Sequence, residues 1–280
     1  MKGSGIARGA GTVINAMATG KGCAFGIDIR TEADVELNDT GEIEVVIEGH
    51  PEEPTRLIEL CVGGILEKFG RQGTGAKVVT RSQIPISRGL KSSSAAANAV
   101  IKATLRAIGE DMQVLDAIRF GCEKAIEAGV SVTGAFDDAC ASMLGGVVLT
   151  DNANFEIIRR ERMDASLVAL IYVPDRMIRK TGLPLSRIRA NADLIELAYI
   201  LAMHGDYRTA MKLNGMVYSS VLGVDPSVMH EALEKGAVAA GLSGTGPATV
   251  MLVERERAEK LRSSLSVSEK IIVAELYNCD

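Results

Sequence analysis

The alternation of apolar and polar residues predicts a β-rich opening to the chain. Residues 3–19 carry too many glycines for a helix and enough apolar side chains for a strand or an irregular strand pair. Apolar or alternating runs predict three more strands, at 23–29, 33–37 and 43–48. Residues 20–22 read as a turn, and residues 39–41 read as the turn of a hairpin.

Helical periodicity appears in the middle of the chain. Apolar residues at helical spacing predict a helix after Pro54, a second at 92–108 and a third at about 111–128. A β-like run at 76–81 separates the first helix from the second. The middle of the chain is therefore a mixture of helices and strands.

The later part of the chain repeats this mixture. Short apolar runs predict strands at 147–149, 155–160 and 167–173. A long helical pattern follows at 185–222, and Asp225-Pro226-Ser227 has the form of a helix start. The remaining predicted elements are two strands within 237–253, a helix at 254–265 and a closing strand at 270–276. The pattern predicts an α+β protein, with an N-terminal domain at 1–160 and a C-terminal domain at 161–280.

Composition narrows the classes of function. The 280 residues carry a formal charge of −5, whereas a nucleic-acid-binding protein needs a basic face. The five cysteines show no metal-ligand spacing and are typical of reduced thiols in a cytosolic enzyme. No apolar run reaches the length of a membrane span, and the opening residues lack the layout of a signal peptide. We expect a cytoplasmic protein without nucleic-acid or membrane partners; whether it forms a homo-oligomer stays open.

The most informative stretch is residues 85–95, a Gly/Ser loop between a predicted strand and a predicted helix. The first amides of a helix have no partner inside it, and the helix dipole places partial positive charge there. Together with the hydroxyls of Ser92, Ser93 and Ser94 they predict an anion site for nucleotide phosphates. An ordinary serine-capped helix is the alternative. The loop is not a Walker A sequence, because no GxxxxGK[ST] occurs in the chain.

Three other stretches carry candidate chemistry. Asp137 and Asp138 are adjacent carboxylates that can cap a helix, hold Mg²⁺ or accept a hydroxyl proton. A Gly/Ser loop at 243–246 lies between apolar strands. The loop at 174–182 contains three cations and is either solvated or an arm over an anionic substrate; the cations are Arg176, Arg179 and Lys180.

These motifs together resemble a known family. Pro-x-x-x-Gly-Leu-x-Ser-Ser-x-Ala before an Ala-rich helix resembles the second motif of the GHMP kinases, with Lys91 in place of a glycine and Ser94 in place of an alanine. The loop at 243–246 resembles their third motif, with Pro247 replacing a glycine. Residues 9–28 and 134–142 resemble the archaeal-type shikimate kinases most specifically, and the resemblance extends over essentially the full chain. This family is unrelated to the P-loop shikimate kinases.

The resemblance implies a fold, a reaction and two cofactors. The expected fold has an N-terminal ribosomal-S5-domain-2-like domain and a C-terminal ferredoxin-like domain. The expected reaction converts ATP and shikimate into ADP and 3-phosphoshikimate, within chorismate and aromatic amino-acid biosynthesis. ATP and Mg²⁺ are the expected cofactors.

The resemblance also implies roles for individual residues. An ungapped match back from Gly145 gives Asp138 the part of orienting or deprotonating the acceptor hydroxyl, with Asp137 one position away and kept as an alternative. Lys21 would pair with the transferred phosphoryl group or with the shikimate carboxylate. The residues expected to bind ATP are Pro85, Ile86, Ser87, Arg88, Gly89, Leu90, Lys91, Ser92, Ser93, Ser94, Ala95, Ser243, Gly244 and Gly246.

Metal and substrate contacts are less sharply fixed. Ser93 and Glu123 are the expected metal partners, and Glu127 is the alternate to Glu123. The shikimate carboxylate calls for an Arg or Lys clamp, for which the candidates are Arg88, Arg176, Arg179 and Lys180.

Three other interpretations stay open at this point. The chain could phosphorylate another small alcohol, such as homoserine or mevalonate. It could be a nucleotide-binding relative without catalytic activity. In the third interpretation the glycine loops are turns and nothing more.

Overall fold

Two β-sheets organise the computed structural model, which describes residues 1–175 and 182–279. The first sheet has six strands in the order β3-β4-β2-β5-β6, with β1 paired to β2. Its strands are β1 (Lys2–Ile14), β2 (Lys21–Asn38), β3 (Ile43–Ile47), β4 (Gly75–Ser82), β5 (Val147–Asp151) and β6 (Glu156–Glu161).

The second sheet is antiparallel, with four strands in the order β10-β7-β9-β8. Its strands are β7 (Leu167–Val173), β8 (Ala239–Leu242), β9 (Thr249–Glu254) and β10 (Lys270–Glu275). The chain passes from one sheet to the other after Glu161, close to the domain boundary expected near residue 160. That boundary itself stays a prediction.

Helices cover and connect the two sheets. Those of the first part are α1 (Arg56–Lys68), α2 (Ser92–Ile108), α3 (Val114–Glu127) and α4 (Phe136–Leu144). Those of the second part are α5 (Leu185–Arg189), α6 (Ala192–Met203), α7 (Tyr207–Leu222), α8 (Ser227–Glu234) and α9 (Ala258–Ser264), the last preceded by a 3₁₀ turn at Arg255–Arg257. The mixed α+β class expected from the sequence is confirmed. Among the described residues, no helix is both long enough and apolar enough to cross a membrane.

Helix α2 lies directly against the glycine-rich strand β1. A Cβ atom on Gly5 would stand 2.1 Å from the carbonyl oxygen of Ala99, and one on Gly3 would stand 2.3 Å from that of Ala103. Both distances are shorter than any real contact, so only glycine lets the two backbones approach this closely. The glycines that excluded a helix at the start of the chain therefore serve to seat α2.

Two local expectations about the opening strands were wrong. The runs at 23–29 and 33–37 form one continuous strand, β2, which begins at Lys21 inside the expected turn. Strands β2 and β3 do not form a hairpin, because β4 pairs with β2 and β3 pairs in parallel with the far side of β4. Strand β2 is long enough to pair with β5 at its beginning and with β4 at its end.

The largest of the three apolar clusters in the described part of the chain extends through both sheets. It includes Phe25 of β2 and Val100 of α2, and it continues through Tyr218 of α7 to Leu252 of β9. The residues after β10 add a second connection, because Tyr277 donates its amide proton to Gly26 O at 2.9 Å and accepts one from Gly146 N at 2.8 Å. The two sheets thus share buried side chains as well as hydrogen bonds.

Candidate active site

The stretches singled out by the sequence converge on one cleft. The cleft opens to solvent and has room inside for about 50 Å³ of water. Its lining comes from the turn after β1, the start of α2, the loop before α4 and the start of α4, the loop before α5, and the loop between β8 and β9. The residues are Asn15, Ala16, Met17, Lys91, Ser131, Val132, Thr133, Ala135, Asp137, Asp138, Leu183, Gly244 and Thr245.

The start of α2 has the arrangement expected of an anion site. The first amide bonded inside the helix is that of Ala95, which donates to Lys91 O at 3.0 Å. The amides of Ser92, Ser93 and Ser94 precede it and therefore have no acceptor within the helix. The residue that caps the helix is Lys91, whose side chain makes no capping hydrogen bond. This is not the ordinary serine cap.

Lys91 caps α2 in an unusual backbone conformation. Its φ is 67°, in the left-handed region. A residue with a Cβ atom is less stable there by about 1–2 kcal/mol, a cost that glycine avoids. The family's second motif has glycine at this position, so the departure noted in the sequence carries a backbone cost.

The loop at 243–248 holds the loop before α2 in place. Ser243 Oγ donates to Gly89 O at 2.8 Å, and the amide of Ala248 donates to Arg88 O at 3.1 Å. A Cβ atom on Gly89, whose φ is +84°, would stand 2.0 Å from Ser243 O. The two loops are packed backbone against backbone, and Ser243 and Gly246 are buried behind the cleft. Of the three residues of this loop that were expected to bind ATP, Gly244 lines the cleft.

Asp138 forms a nearly buried ion pair across the cleft. Its Oδ1 lies 2.9 Å from Lys91 Nζ, and the two side chains are 10% and 9% exposed. Within the described part of the chain this oxygen accepts no hydrogen bond, so the contact is an ion pair without hydrogen-bond alignment. A carboxylate from α4 and an ammonium from the start of α2 thus meet beside the unpaired amides.

Asp137 is held behind Asp138. Its Oδ1 accepts a hydrogen bond from Asn152 Nδ2 at 2.8 Å, and Asn152 is itself held by Thr150 at 2.7 Å. A Cβ atom on Gly22 would lie 2.6 Å from Asp137 Oδ2, so glycine leaves room for this carboxyl. Burial, and next the charge of Asp138, raise the pKa of Asp137 to about 7.

Lys21 lies at the beginning of β2 and has a different partner. Its Nζ is 2.6 Å from Glu196 Oε1 and 5.2 Å from the centre of the Tyr199 ring, both on α6. The ammonium beside Asp138 belongs to Lys91 instead. The role expected for Lys21, pairing with the transferred phosphoryl group or the shikimate carboxylate, stays a prediction.

The expected metal partners fit Mg²⁺ only with help from a nucleotide. Ser93 is half-buried at the start of α2, whereas Glu123 is exposed on α3. Glu127 pairs with Lys124 at 2.7 Å. Within residues 1–175 and 182–279 there is no group of three His, Cys, Asp or Glu residues that could hold a metal. Mg²⁺ is commonly bound by one or two protein groups together with substrate phosphates and water, which suits a serine hydroxyl beside a phosphate site.

Of the four residues expected to form the carboxylate clamp, the structure describes Arg88. Arg176, Arg179 and Lys180 lie outside the described residues. On the near side of that segment, Arg88 donates a hydrogen bond to the carbonyl oxygen of Pro174. On its far side, Leu183 lines the cleft.

Asn15 is a site residue that the sequence reasoning missed. Its Nδ2 donates to Gly244 O at 3.0 Å, and its Oδ1 accepts from Met17 N at 3.0 Å. It fixes the turn after β1 against the loop of Gly244 and lines the cleft. The available signal was a polar amide within an apolar, glycine-rich run.

Comparison with known proteins identifies the class. Residues 56–146 match the family model described as GHMP kinases N terminal domain, and residues 225–268 match that described as GHMP kinases C terminal. Among solved structures, the mevalonate kinase of Methanococcus jannaschii superposes with a TM-score of 0.77 at 15% identity, covering 99% of this chain and 98% of that one. A homoserine kinase from Cytophaga hutchinsonii gives 0.76 at 20% identity, covering 98% and 95%. The expected GHMP kinase fold is thereby confirmed, and the chain belongs to the GHMP kinases.

Relatives at higher identity narrow the family further. A shikimate kinase of Methanosarcina acetivorans is 47% identical over 283 residues, covering 100% of this chain and 95% of the relative. A shikimate kinase of Methanosarcina mazei is 49% identical over 269 residues, covering 94% and 89%. Within the GHMP kinases, the chain belongs with these archaeal shikimate kinases.

Proposed function

We propose that this protein phosphorylates shikimate to 3-phosphoshikimate with ATP and Mg²⁺, as a step in chorismate and aromatic amino-acid biosynthesis. The observation that carries the proposal is the Lys91–Asp138 ion pair, which lies in the cleft beside the unpaired amides of α2. The substrate assignment is supported by archaeal relatives named shikimate kinase that are 46–49% identical over nearly the whole chain.

The start of α2 binds the polyphosphate of ATP. Its free amides and the serine hydroxyls donate hydrogen bonds to phosphate oxygens, and the helix dipole favours the negative charge. Phosphoryl transfer requires mainly positioning and neutralisation of charge. When bound, Mg²⁺ supplies part of that neutralisation, with Ser93 as the candidate protein ligand and Glu123 as the candidate acidic partner.

Asp138 acts on the acceptor. It orients the hydroxyl to be phosphorylated and takes its proton, which is the part that a carboxylate facing the cleft can play. The carboxylate of shikimate needs a cationic partner, and Arg88 together with the arginine and lysine residues of 176–180 are the candidates.

A coupled ADP-release assay tests the substrate. Shikimate should be turned over in preference to homoserine and mevalonate, because the archaeal relatives are named shikimate kinase. Homoserine also brings an ammonium group that this cationic region does not favour. The structural likeness to homoserine and mevalonate kinases is at 15–20% identity and speaks only for the fold. An enzyme that ignores shikimate and phosphorylates another of the three alcohols would end this assignment.

Replacing Asp138 by asparagine separates catalysis from nucleotide binding. We expect kcat to fall at least about 100-fold, the lower range for losing an acid–base group, while ATP still raises the melting temperature. Unchanged turnover would remove Asp138 from the reaction. If the wild-type chain binds ATP but turns over no alcohol, it is a non-catalytic relative; if it binds no nucleotide, the glycine loops are only turns.

A further inference from the structure

Lys91 is an unfavourable residue to place at the start of α2. Its backbone has a φ of 67°, where glycine is accommodated at lower cost. Its side chain is 9% exposed, so the ammonium has also lost most of its contact with water. If only the left-handed backbone conformation mattered at this position, glycine would suit it better. We therefore attribute the presence of a lysine to its charged group.

Three separate segments place the Lys91 ammonium. The loop before α2 supplies it, and Asp138 of α4 receives it at 2.9 Å. A Cβ atom on Gly244 would stand 3.0 Å from Lys91 Nζ, so the loop after β8 leaves just enough space for it. A charge pair with so little exposure to solvent stays stable only where its surroundings fix its geometry.

Lys21, the other lysine considered from the sequence, is engaged elsewhere. It pairs with Glu196 at 2.6 Å, and both side chains of this pair are about 40% exposed. Its Nζ also lies 5.2 Å from the centre of the Tyr199 ring. Among the described contacts, the positive charge beside Asp138, the candidate catalytic carboxylate, is therefore that of Lys91 and not that of Lys21.

We propose that Lys91, rather than Lys21, is the cation that holds Asp138 towards the acceptor hydroxyl and stands beside the phosphoryl group during its transfer. This inference rests on the proposed kinase function. The acceptor oxygen forms a bond to the terminal phosphorus of ATP while the bond from that phosphorus to ADP breaks, and the hydroxyl proton passes to Asp138. Lys91 keeps its protons throughout and exchanges part of its contact with Asp138 for contact with the transferred group.

The decisive variant is Lys91→Gly, because glycine suits the left-handed backbone and removes only the side chain. We expect kcat to fall at least about 100-fold, with the KM for shikimate changed less than about threefold. Methylammonium should restore at least about tenfold of the lost kcat by entering the vacated space. Tetramethylammonium has the same charge but donates no hydrogen bond and is bulkier, so it should restore nothing.

A matched control exists at the end of α8. Lys235 also stands at a helix terminus and also forms an ion pair, with Glu231 at 2.6 Å, but it lies on the surface outside the cleft. Lys235→Gly should keep the wild-type kcat and should not respond to methylammonium.

Several results would overturn the inference. One is a wild-type kcat in Lys91→Gly, and another is equal stimulation by the two ammonium ions. A third is that Lys21→Gly, and not Lys91→Gly, loses turnover and is restored by methylammonium. Wild-type protein that ignores shikimate but phosphorylates another alcohol would sink only the substrate assignment, and the same comparison would then be made with that alcohol. Absence of turnover with any alcohol would overturn both proposals.

A second set of variants covers the case in which Lys91→Gly does not fold. Lys91→Met, Asp138→Asn and the double variant form a thermodynamic cycle. If the two residues act as a unit, the double variant is no slower than the slower single variant. Losses in kcat that multiply would show independent roles and overturn the inference.

Discussion

Replacing Asp137 by asparagine should change how the stability of the protein depends on pH. The carboxyl is buried, and its pKa is raised from 3.8 to about 7, chiefly by burial and next by Asp138. Asparagine has nearly the same shape and can still accept the hydrogen bond that Asn152 donates at 2.8 Å. The variant therefore removes the titration and keeps the packing.

The sign and size follow from linkage. A carboxyl whose pKa is higher in the folded state stabilises that state fully below its unfolded pKa, and this contribution is lost as the pH rises through the folded pKa. The rise from 3.8 to about 7 corresponds to about 4 kcal/mol. Between pH 5 and pH 8, roughly 2–3 kcal/mol of this should be lost from the wild-type protein and not from Asp137→Asn.

Urea unfolding at pH 5, 6, 7 and 8 measures this directly. The free energy of unfolding of Asp137→Asn, relative to wild type, should rise steadily across that range and level off above pH 7. Asp111→Asn, which removes an exposed carboxylate between α2 and α3, is measured beside it as the control for the loss of one surface charge. If the difference for Asp137→Asn stays constant within about 0.5 kcal/mol, the carboxyl does not titrate in this window and the reasoning fails.

Three further predictions concern the packing around the site, a helix cap and the burial of the cysteines. Gly89→Ala should lower the free energy of unfolding by at least about 2 kcal/mol, because the new Cβ would meet Ser243 O at 2.0 Å; Gly70→Ala, which also has a positive φ but faces open space, should cost about 1 kcal/mol in the same urea titration. Asp206→Ala should cost about 1 kcal/mol in a thermal melt, because the Asp206 carboxylate caps α7. In the native protein a thiol reagent should modify Cys279 alone, since the other four cysteines are buried.

The contradicting results are equally concrete. Equal losses at the two glycines would show that the loops before α2 and after β8 are not in tight contact. Asp206→Asn keeps the side-chain acceptor and should be nearly neutral; a loss as large as that of Asp206→Ala would mean that capping is not the cause. Rapid modification of more than one thiol would indicate that a buried cysteine becomes exposed in the native state.

Local features of the fold were predictable because they depend on neighbouring residues. The helix α2 was expected at 92–108 and is found at Ser92–Ile108. The preceding strand, the loop and α2 follow one another directly along the chain. The apolar pattern and the glycine and serine residues therefore sufficed to locate all three. The pairing of β4 with β2 depends on residues far apart in the chain, and no local signal separates it from the hairpin that was expected.

The sequence predicted individual residues of the candidate site but not which of them contact each other. The sequence singled out Lys91, Asp138 and Lys21, but whether a lysine meets one carboxylate or another depends on how distant elements pack. The partner of Lys21 is Glu196, which is 175 positions away along the chain. Asn15 was missed for a related reason, since its role depends on a hydrogen bond to the remote loop of Gly244.

The continuous core has a consequence for how far the chain can be treated as modular. Side chains from both sheets, such as Phe25 and Leu252, belong to the same buried cluster. A fragment that ended between the sheets would expose to water the apolar side chains that the other half normally covers. A chimera with the C-terminal half of another GHMP kinase would join two apolar surfaces whose side chains do not fit together. The two halves should therefore melt together in a single heat-absorption peak.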